Sequence, residues 1–270
     1  MRLSVAGEQP RRILLQRSML FVICSYHRPL LIRQRTLALL KNHKILPLQT
    51  FIFVGAANDQ DFEPYKDLSE EGYQVIRCPV GLANARNAVT EYFAEGEELI
   101  CLDDDLKSIL HLKKNNIWSL EEEFARGFQL AKDNGCRLLG IYPVANRLWM
   151  KPKILKGVLF CYGCCYGLIN TKEFVLTAWA KEDWCRSLWF SSKDGGVVRL
   201  EYLAPIQNHR TESGGLDEVR THQLEAEVAQ ALHLQYQDTV YLIERKGWPE
   251  LRVKRATVLT RKQIYFLPES

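Results

Sequence analysis

The sequence predicts an α/β fold with a mostly parallel central sheet, and three observations carry that prediction. Short apolar runs of strand length alternate with stretches of helical period along the first half of the chain. The runs are apolar almost throughout, the pattern of strands covered on both faces. Ser25, Asp59 and the triplet Asp103, Asp104 and Asp105 all follow such runs, and open α/β sheets gather their ligands at the carboxyl ends of strands.

The elements follow in order. Residues 1–17 are polar and basic and form an N-terminal extension. Met19-Leu-Phe-Val-Ile-Cys24 reads as the first strand and ends at Ser25-Tyr-His-Arg-Pro29, after which Leu30, Leu31, Leu37 and Leu40 mark a helix. Thr50-Phe-Ile-Phe-Val54 is the second strand and leads to a polar loop with Asn58 and Asp59. Gln74-Val-Ile-Arg77 is the third, a helix covers 82–93, and a fourth strand over 98–102 delivers the Asp triplet. In the second half, Leu138-Leu-Gly-Ile-Tyr142, the Gly/Cys-rich run 157–168 and residues 196–200 read as strands. A helix with acidic residues in its first turn begins near Lys181-Glu-Asp183. Leu224, Val228, Ala231, Leu232 and Gln235 have amphipathic helical spacing, and residues 239–258 alternate as two strands around Lys246-Gly247. No repeat, low-complexity stretch or linker interrupts the chain. Residues 18–270 are therefore expected to form one domain, with 207–270 as a mobile loop, a helix and a basic C-terminal segment.

Composition bounds the partners. Of 270 residues, 47% are hydrophobic and 25% charged, ordinary values for a soluble globular protein. The net charge of +4 is unevenly spread. Arg2, Arg11, Arg12 and Arg17 crowd one end. Arg245, Lys246, Arg252, Lys254, Arg255, Arg261 and Lys262 crowd the other, against Glu244, Glu250 and Glu269. Basic ends suit a polyanion such as nucleic acid, and equally suit plain solubility. The apolar run 19–24 is too short for a membrane span or a signal segment, so a cytoplasmic protein without membrane association is expected. Cys161, Cys164 and Cys165 lack a second ligand pair at zinc spacing. They are expected to pack as free thiols in a core, which implies a reducing compartment.

Three adjacent carboxylates repel one another. At the end of a buried strand they need a compensating charge, and a divalent cation that also holds phosphate oxygens supplies it. The competing reading is an acidic turn capping the next helix. For Arg86 the alternatives are a two-pronged phosphate clamp and a surface ion pair. For Glu182 and Asp183 they are a catalytic base and a helix cap.

Taken together, Ser25-Tyr-His-Arg-Pro29, Gly81-Leu-Ala-Asn-Ala-Arg-Asn87, Cys101-Leu-Asp-Asp-Asp105 and Glu182-Asp183 stand in the order and approximate spacing of a GT-A glycosyltransferase, and the chain resembles that family. The resemblance implies a Rossmann-like domain that binds a nucleotide sugar, with a C-terminal helix and β-hairpin as elaboration. It implies that Asp105 binds Mn²⁺ or Mg²⁺ and that Asp103 holds the ribose or donor sugar. Ser25, Tyr26, Arg28, Asp59, Arg86 and Asp104 would complete the donor site. His209, in Pro205-Ile-Gln-Asn-His-Arg210, falls where family members often supply a further metal ligand, against the reading of a solvent-exposed loop histidine. Inverting members use one carboxylate as base, here Asp183 with Glu182 as the fallback.

Glu182-Asp-Trp-Cys-Arg-Ser-Leu188, Gly195-Gly-Val-Val-Arg-Leu200 and Ser213-Gly-Gly-Leu-Asp-Glu-Val-Arg-Thr221 are similar to the phage enzymes related to the base J glucosyltransferase, the TET/JBP-associated glycosyltransferases. That likeness extends over roughly residues 18 to 258. It implies transfer of a sugar, glucose first among candidates, from a UDP-sugar to the hydroxyl of a hydroxymethylated pyrimidine in DNA. Ser213-Gly-Gly215 would close over the site. Two alternatives remain: a glycan, protein or small-molecule acceptor, and a silent module that binds nucleic acid. The intact carboxylates argue against the second.

Overall fold

The computed structural model describes residues 19–114, 118–207, 221–245 and 247–267. Its first half follows the expected alternation. β1 (Leu20–Ser25) leads into α1 (Pro29–Ile32), a π-helical turn over Arg33–Leu37 and α2 (Ala38–Asn42). β2 (Thr50–Gly55) is followed by the short α3 (Asp59–Phe62) and α4 (Asp67–Glu70), then β3 (Gln74–Cys78), α5 (Leu82–Tyr92) and β4 (Glu98–Asp103). These four strands pair in parallel, β1 lying between β2 and β4 with β3 outside β2.

The second half adds β5 (Leu106–His111), α6 (Leu120–Asp133), β6 (Leu138–Ile141), β7 (Lys153–Gly157), β8 (Cys165–Ile169), α7 (Glu182–Asp194), β9 (Val197–Leu200) and β10 (Leu203–Gln207). α8 (His222–Gln235), β11 (Val240–Arg245), β12 (Trp248–Val253), α9 (Arg255–Leu259) and β13 (Lys262–Phe266) follow. Nine strands form one sheet in the order β13-β7-β9-β6-β8-β4-β1-β2-β3, while β5 and β10 form a separate antiparallel ribbon. β8 runs antiparallel to both β4 and β6, and β6 runs parallel to β9. The sheet is thus mixed α/β, with its parallel block in the first half.

The continuous apolar runs have a simple cause. Alternate residues of the central strands enter two different cores. Phe21, Ile23, Ile52, Val54, Ile100 and Leu102 meet Leu40 of α2 and Phe124 and Phe128 of α6. Val22, Phe53, Leu99 and Cys101 meet Val89 of α5 and Phe190 of α7 on the opposite face. A third, smaller cluster of Leu188, Leu232, Val240 and Leu251 seats α8 and the expected β11–β12 hairpin on α7. Seven of the eight cysteines, Cys161, Cys164 and Cys165 among them, are buried, and all eight are free thiols.

The run 157–168 departs from expectation. It is not one strand: β7 ends at Gly157 and β8 begins only at Cys165. Between them the backbone bonds elsewhere. Cys161 N–H donates to Ser187 Oγ of α7 at 2.9 Å, and Cys164 C=O accepts from Asp103 N–H at 3.0 Å. Those bonds draw the segment to the carboxyl end of β4. Among the described residues no helix is long and apolar enough to cross a membrane.

α6 was not foreseen. Its cap is Ser119, whose Oγ accepts from Glu122 N–H at 3.2 Å. On its buried face Glu123 receives Lys114 Nζ and Tyr202 Oη, each at 2.9 Å, and the Arg126 guanidinium. Burial alone would raise this carboxyl. Hydrogen bonds from His111, Lys114 and Tyr202 and the Arg126 charge outweigh it, so the pKa falls from 4.5 to about 2. The stabilisation is complete above pH 4.5 and is lost as pH falls toward 2. Glu123→Gln is therefore expected to cost roughly 3 kcal/mol at pH 7 and little near pH 2. Urea melts of both proteins at several pH values measure it; an equal gap at all pH values contradicts the assignment.

Candidate active site

The site lies where β1 and β4 end. β4 carries the chain into Asp103, and a tight turn through Asp104 and Asp105 returns it along β5. Thr36, in the π-helical turn, pins that turn: its hydroxyl donates to Asp103 C=O at 2.6 Å and accepts from Leu106 N–H at 3.0 Å. The triplet is therefore a built corner of the sheet and not a cap on the next helix.

Each of the three carboxylates has a different partner. Asp104, almost fully buried, accepts from Ser25 Oγ at 2.7 Å and from Arg28 Nη1 at 3.3 Å. Ser25 has one hydroxyl hydrogen and gives it to Asp104, so Tyr65 Oη, 2.8 Å away, donates to Ser25. Tyr65 in turn accepts from Arg28 N–H at 2.7 Å. Asp103 takes Arg86 Nη2 at 2.7 Å. Arg86 is buried beside Cys24 Sγ and the Gly163 carbonyl, which rules out the surface ion pair considered for it. Asp105 accepts from the Gln207 side-chain amide at the end of β10, lies 3.6 Å from Arg28 Nη1, and is linked through Gln207 to Tyr162 Oη at 3.3 Å.

α7 supplies the opposite wall. Glu182 is buried and bonded to Arg186 Nη1 at 2.5 Å one turn along the helix. The Arg186 guanidinium lies 3.7 Å from the centroid of the Tyr166 ring, and Arg86 lies 5.4 Å from the same ring. Asp183 stands in the first turn, where the helix dipole favours an anion, with Oδ1 accepting Trp184 N–H at 2.9 Å. Burial raises the Tyr162 phenol, and the charges of Asp103, Asp183 and Asp105 add to that rise, so these groups share one region.

Electrostatics at the corner is unbalanced. Asp103 is pushed up to about 7 by burial first, with the charges of Asp105, Glu182 and Asp104 adding to it and Arg86 opposing. A third of its side chain (33%) remains open to solvent. Asp104 is pushed up to about 6, again by burial first and then by Asp105, against Ser25 and Arg28. Among the described residues, five carboxylates (Asp103, Asp104, Asp105, Glu182, Asp183) stand against three guanidiniums (Arg28, Arg86, Arg186), two fewer positive charges than negative when all are ionised. A divalent cation fits that deficit. Among the described residues no three acidic, His or Cys side chains form a ready cage. A Mg²⁺- or Mn²⁺-type ion carried with phosphate oxygens takes one or two carboxylates from a protein.

Tyr26 and Asp59 lie on the lip rather than at the corner. Tyr26 stacks on His27 with ring centroids 3.9 Å apart, and Asp59 is exposed and paired with Arg77 Nη1 at 2.7 Å. His209 and Ser213-Gly-Gly215 fall outside the described residues. Tyr162, Tyr166, Arg186 and Gln207 were not singled out from sequence. Of these only Arg186 had a local signal, four residues after Glu182 on one helix face.

Gly163 holds the two walls together. A Cβ there would meet Glu182 Oε1 at 2.2 Å and Arg186 Nη2 at 3.5 Å, and Glu182 is tethered and cannot swing away. Gly163→Ala is expected to destabilise the fold by about 2 kcal/mol and to displace α7. A shifted thermal midpoint with lost activity is the predicted result, and unchanged stability the contrary one.

No protein-family model and no curated protein matches the sequence. Several solved structures have a similar chain path. The mannosyltransferase PcManGT from Pyrobaculum calidifontis, in complex with GDP-Man and Mn²⁺, is 12% identical with a TM-score of 0.47 over 82% of this chain. TarS 1–349 from S. aureus is 13% identical with a TM-score of 0.46 over 78% of this chain. Glucosyl-3-phosphoglycerate synthase from Mycobacterium tuberculosis, with Mn²⁺, UDP and glucosyl-3-phosphoglycerate, is 11% identical with a TM-score of 0.46 over 88% of both chains. The present chain spans 63% and 65% of the lengths of the first two.

Proposed function

We propose that the chain is a metal-dependent, inverting GT-A glycosyltransferase that moves a sugar, first among candidates glucose, from a UDP-sugar to the hydroxyl of a hydroxymethylated pyrimidine in DNA. One observation supports the reaction class: at the end of β4 burial and neighbouring carboxylates push Asp103 and Asp104 up to about 7 and about 6, and among the described residues five carboxylates stand against three guanidiniums there. The DNA acceptor rests on the sequence resemblance.

Asp105, whose partners are an amide and a guanidinium 3.6 Å away, is the carboxylate that would hold the cation. When bound, Mn²⁺ or Mg²⁺ supplies positive charge to the diphosphate as it leaves. Arg86 holds Asp103 in place for the ribose or donor sugar, and Ser25, Tyr65 and Arg28 hold Asp104. Asp183, fixed by the Trp184 amide, accepts the proton from the acceptor hydroxyl as that oxygen attacks the anomeric carbon. Glu182 is engaged by Arg186 and acts as a strut, which favours Asp183 for the base. An enzyme acting on a base in a duplex reaches it only after the base is unstacked.

Calorimetric titration with UDP tests the donor half. The reading predicts binding that requires Mn²⁺ or Mg²⁺ and releases protons near pH 6 to 7, where Asp103 and Asp104 are partly protonated. Metal-independent UDP binding, or none, counts against it.

A further inference from the structure

The expectation from sequence placed polyanion contacts at the basic termini. The structure offers a different surface. β1 and β4 are parallel, β4 and β6 are both antiparallel to β8, and β9 is parallel to β6, so all four end at one edge of the sheet. The Asp triplet sits on that edge after β4, and the loop 142–152 rises from the same edge after β6.

Hydrogen bonds tie this loop to β10 and to the residues flanking the β5–β10 ribbon. Tyr142 N–H donates to Leu203 C=O at 2.8 Å, Lys151 N–H donates to Glu201 C=O at 3.1 Å, and the Arg147 guanidinium donates to Leu112 C=O. The joined segments 106–114 and 142–153 contain Lys107, Lys113, Lys114, Arg147, Lys151 and Lys153 and not one carboxylate. The acidic residues beneath them are buried and already neutralised: Glu123 by Lys114 and Arg126, and Glu201 by Arg199 at 2.6 Å. Lys107, Lys113, Arg147 and Lys151 are exposed. Between the last two, Leu148 is 81% and Trp149 58% exposed, although each is large and apolar.

Cations with an interleaved open indole are the chemistry of a nucleic-acid strand, which offers phosphates to the one and base faces to the other. Spacing agrees. From β4 to β6 is two strand positions, roughly 10 Å, and β7 lies two further on, at roughly 20 Å. Phosphates along one strand recur about every 3.4 Å of duplex axis, so the edge spans on the order of three to six nucleotides.

We propose that this edge is the DNA-docking surface of the enzyme. A strand flanking the acceptor base lies across Lys107, Lys113, Arg147 and Lys151, with Trp149 against a base or sugar. The inference rests on the DNA-acceptor reading above and adds the surface that holds the polymer.

The test is the salt dependence of binding to a short fluorescent duplex carrying 5-hydroxymethylcytosine, measured with the full chain. Lys113→Ala/Arg147→Ala/Lys151→Ala is expected to weaken binding on the order of 10- to 100-fold at about 50 mM salt. It should also flatten the log K against log salt slope by about 3. Trp149→Ala should weaken binding roughly tenfold with the slope unchanged. UDP release from UDP-glucose without DNA should stay at the wild-type level in both. If the triple variant binds like wild type while Lys254→Ala/Arg255→Ala/Lys262→Ala flattens the slope, the contact belongs to the C-terminal segment and the proposed surface is overturned with the DNA acceptor intact. If the triple variant loses binding to phosphatidylserine vesicles but not to DNA, the surface serves a membrane and the proposal falls. If wild-type protein turns over UDP-glucose but neither binds nor modifies DNA, the acceptor reading falls and this surface with it.

Discussion

Asp183→Asn is expected to lower sugar transfer by about a thousandfold or more while leaving metal-dependent UDP binding near wild type. General base catalysis is worth roughly 10² to 10⁴ in rate, and asparagine keeps the shape and the Trp184 contact while removing the proton acceptor. Glu182→Gln separates the two neighbours. Glu182 neutralises Arg186, which is 2% exposed and whose Nε and Nη2 have no hydrogen-bond partner among the described residues. Losing that carboxylate leaves a buried guanidinium uncompensated, a cost of about 3 to 5 kcal/mol. Glu182→Gln should therefore show as lost thermal stability, and Asp183→Asn as lost rate in a stable protein. A stable, inactive Glu182→Gln beside an active Asp183→Asn would exchange the two roles. Both measurements need only purified protein, a thermal melt and an assay of UDP release.

Asp105→Ala is expected to remove the metal dependence of donor binding and to reduce turnover by about three orders of magnitude, the size of effect that Lewis-acid stabilisation of a leaving group commonly supplies. It should have the opposite sign on stability. Asp103 and Asp104 have folded-state pKa values of about 7 and about 6 against an ordinary 3.8. A raised acid pKa means that the folded state holds extra protons between those values, so stability declines as pH rises from about 4 to about 7. Removing the third charge relieves that repulsion. Asp105→Ala should thus be more stable than wild type at pH 7 without metal, and wild type should regain stability when Mn²⁺ and UDP are added. Thermal melts with and without Mn²⁺ and UDP settle the sign. An Asp105→Ala protein stabilised by Mn²⁺ and UDP as much as wild type would place the cation elsewhere.

Much of this arrangement was legible in sequence for a definite reason. β1, β2 and β4 are covered on both faces, so Phe21, Val22 and Ile23 are all buried and the strand stands out as an unbroken apolar run. The polar residue after such a run necessarily lies at the sheet edge, which is why Ser25 and Asp103 were found. α6 went unread although Ser119-Leu-Glu-Glu122 is a capping signature followed by Phe124, Phe128 and Ala131 on one face. β5 and β10 form a ribbon of their own outside the main sheet; β5 alternates buried and open positions, and β10 has only three consecutive buried residues, one of them Pro205. The Gly/Cys-rich run misled because its small apolar residues suit a strand equally well. Its true role depends on Ser187 and Asp103, which are remote in the chain. Gln207 and Tyr162 were hidden for the same reason: Gln207 meets Asp105 from 102 residues away, and no local pattern records such a meeting.

The charges on the sheet edge show the reverse case. Lys113, Arg147 and Lys151 looked unremarkable singly, because the two segments that carry them are remote in the chain and are brought together by contacts such as the Arg147 bond to Leu112. Net charge at the termini was visible in the sequence; the joining of two basic segments, 106–114 and 142–153, was not.

The most direct test is mass spectrometry of nucleosides from duplex DNA containing 5-hydroxymethylcytosine or 5-hydroxymethyluracil after incubation with the protein, UDP-glucose and Mn²⁺. The account predicts a pyrimidine nucleoside heavier by one hexose, absent with Asp105→Ala and with Mn²⁺ removed. Release of UDP with no hexose on either base, under conditions where the protein binds the duplex, would contradict it.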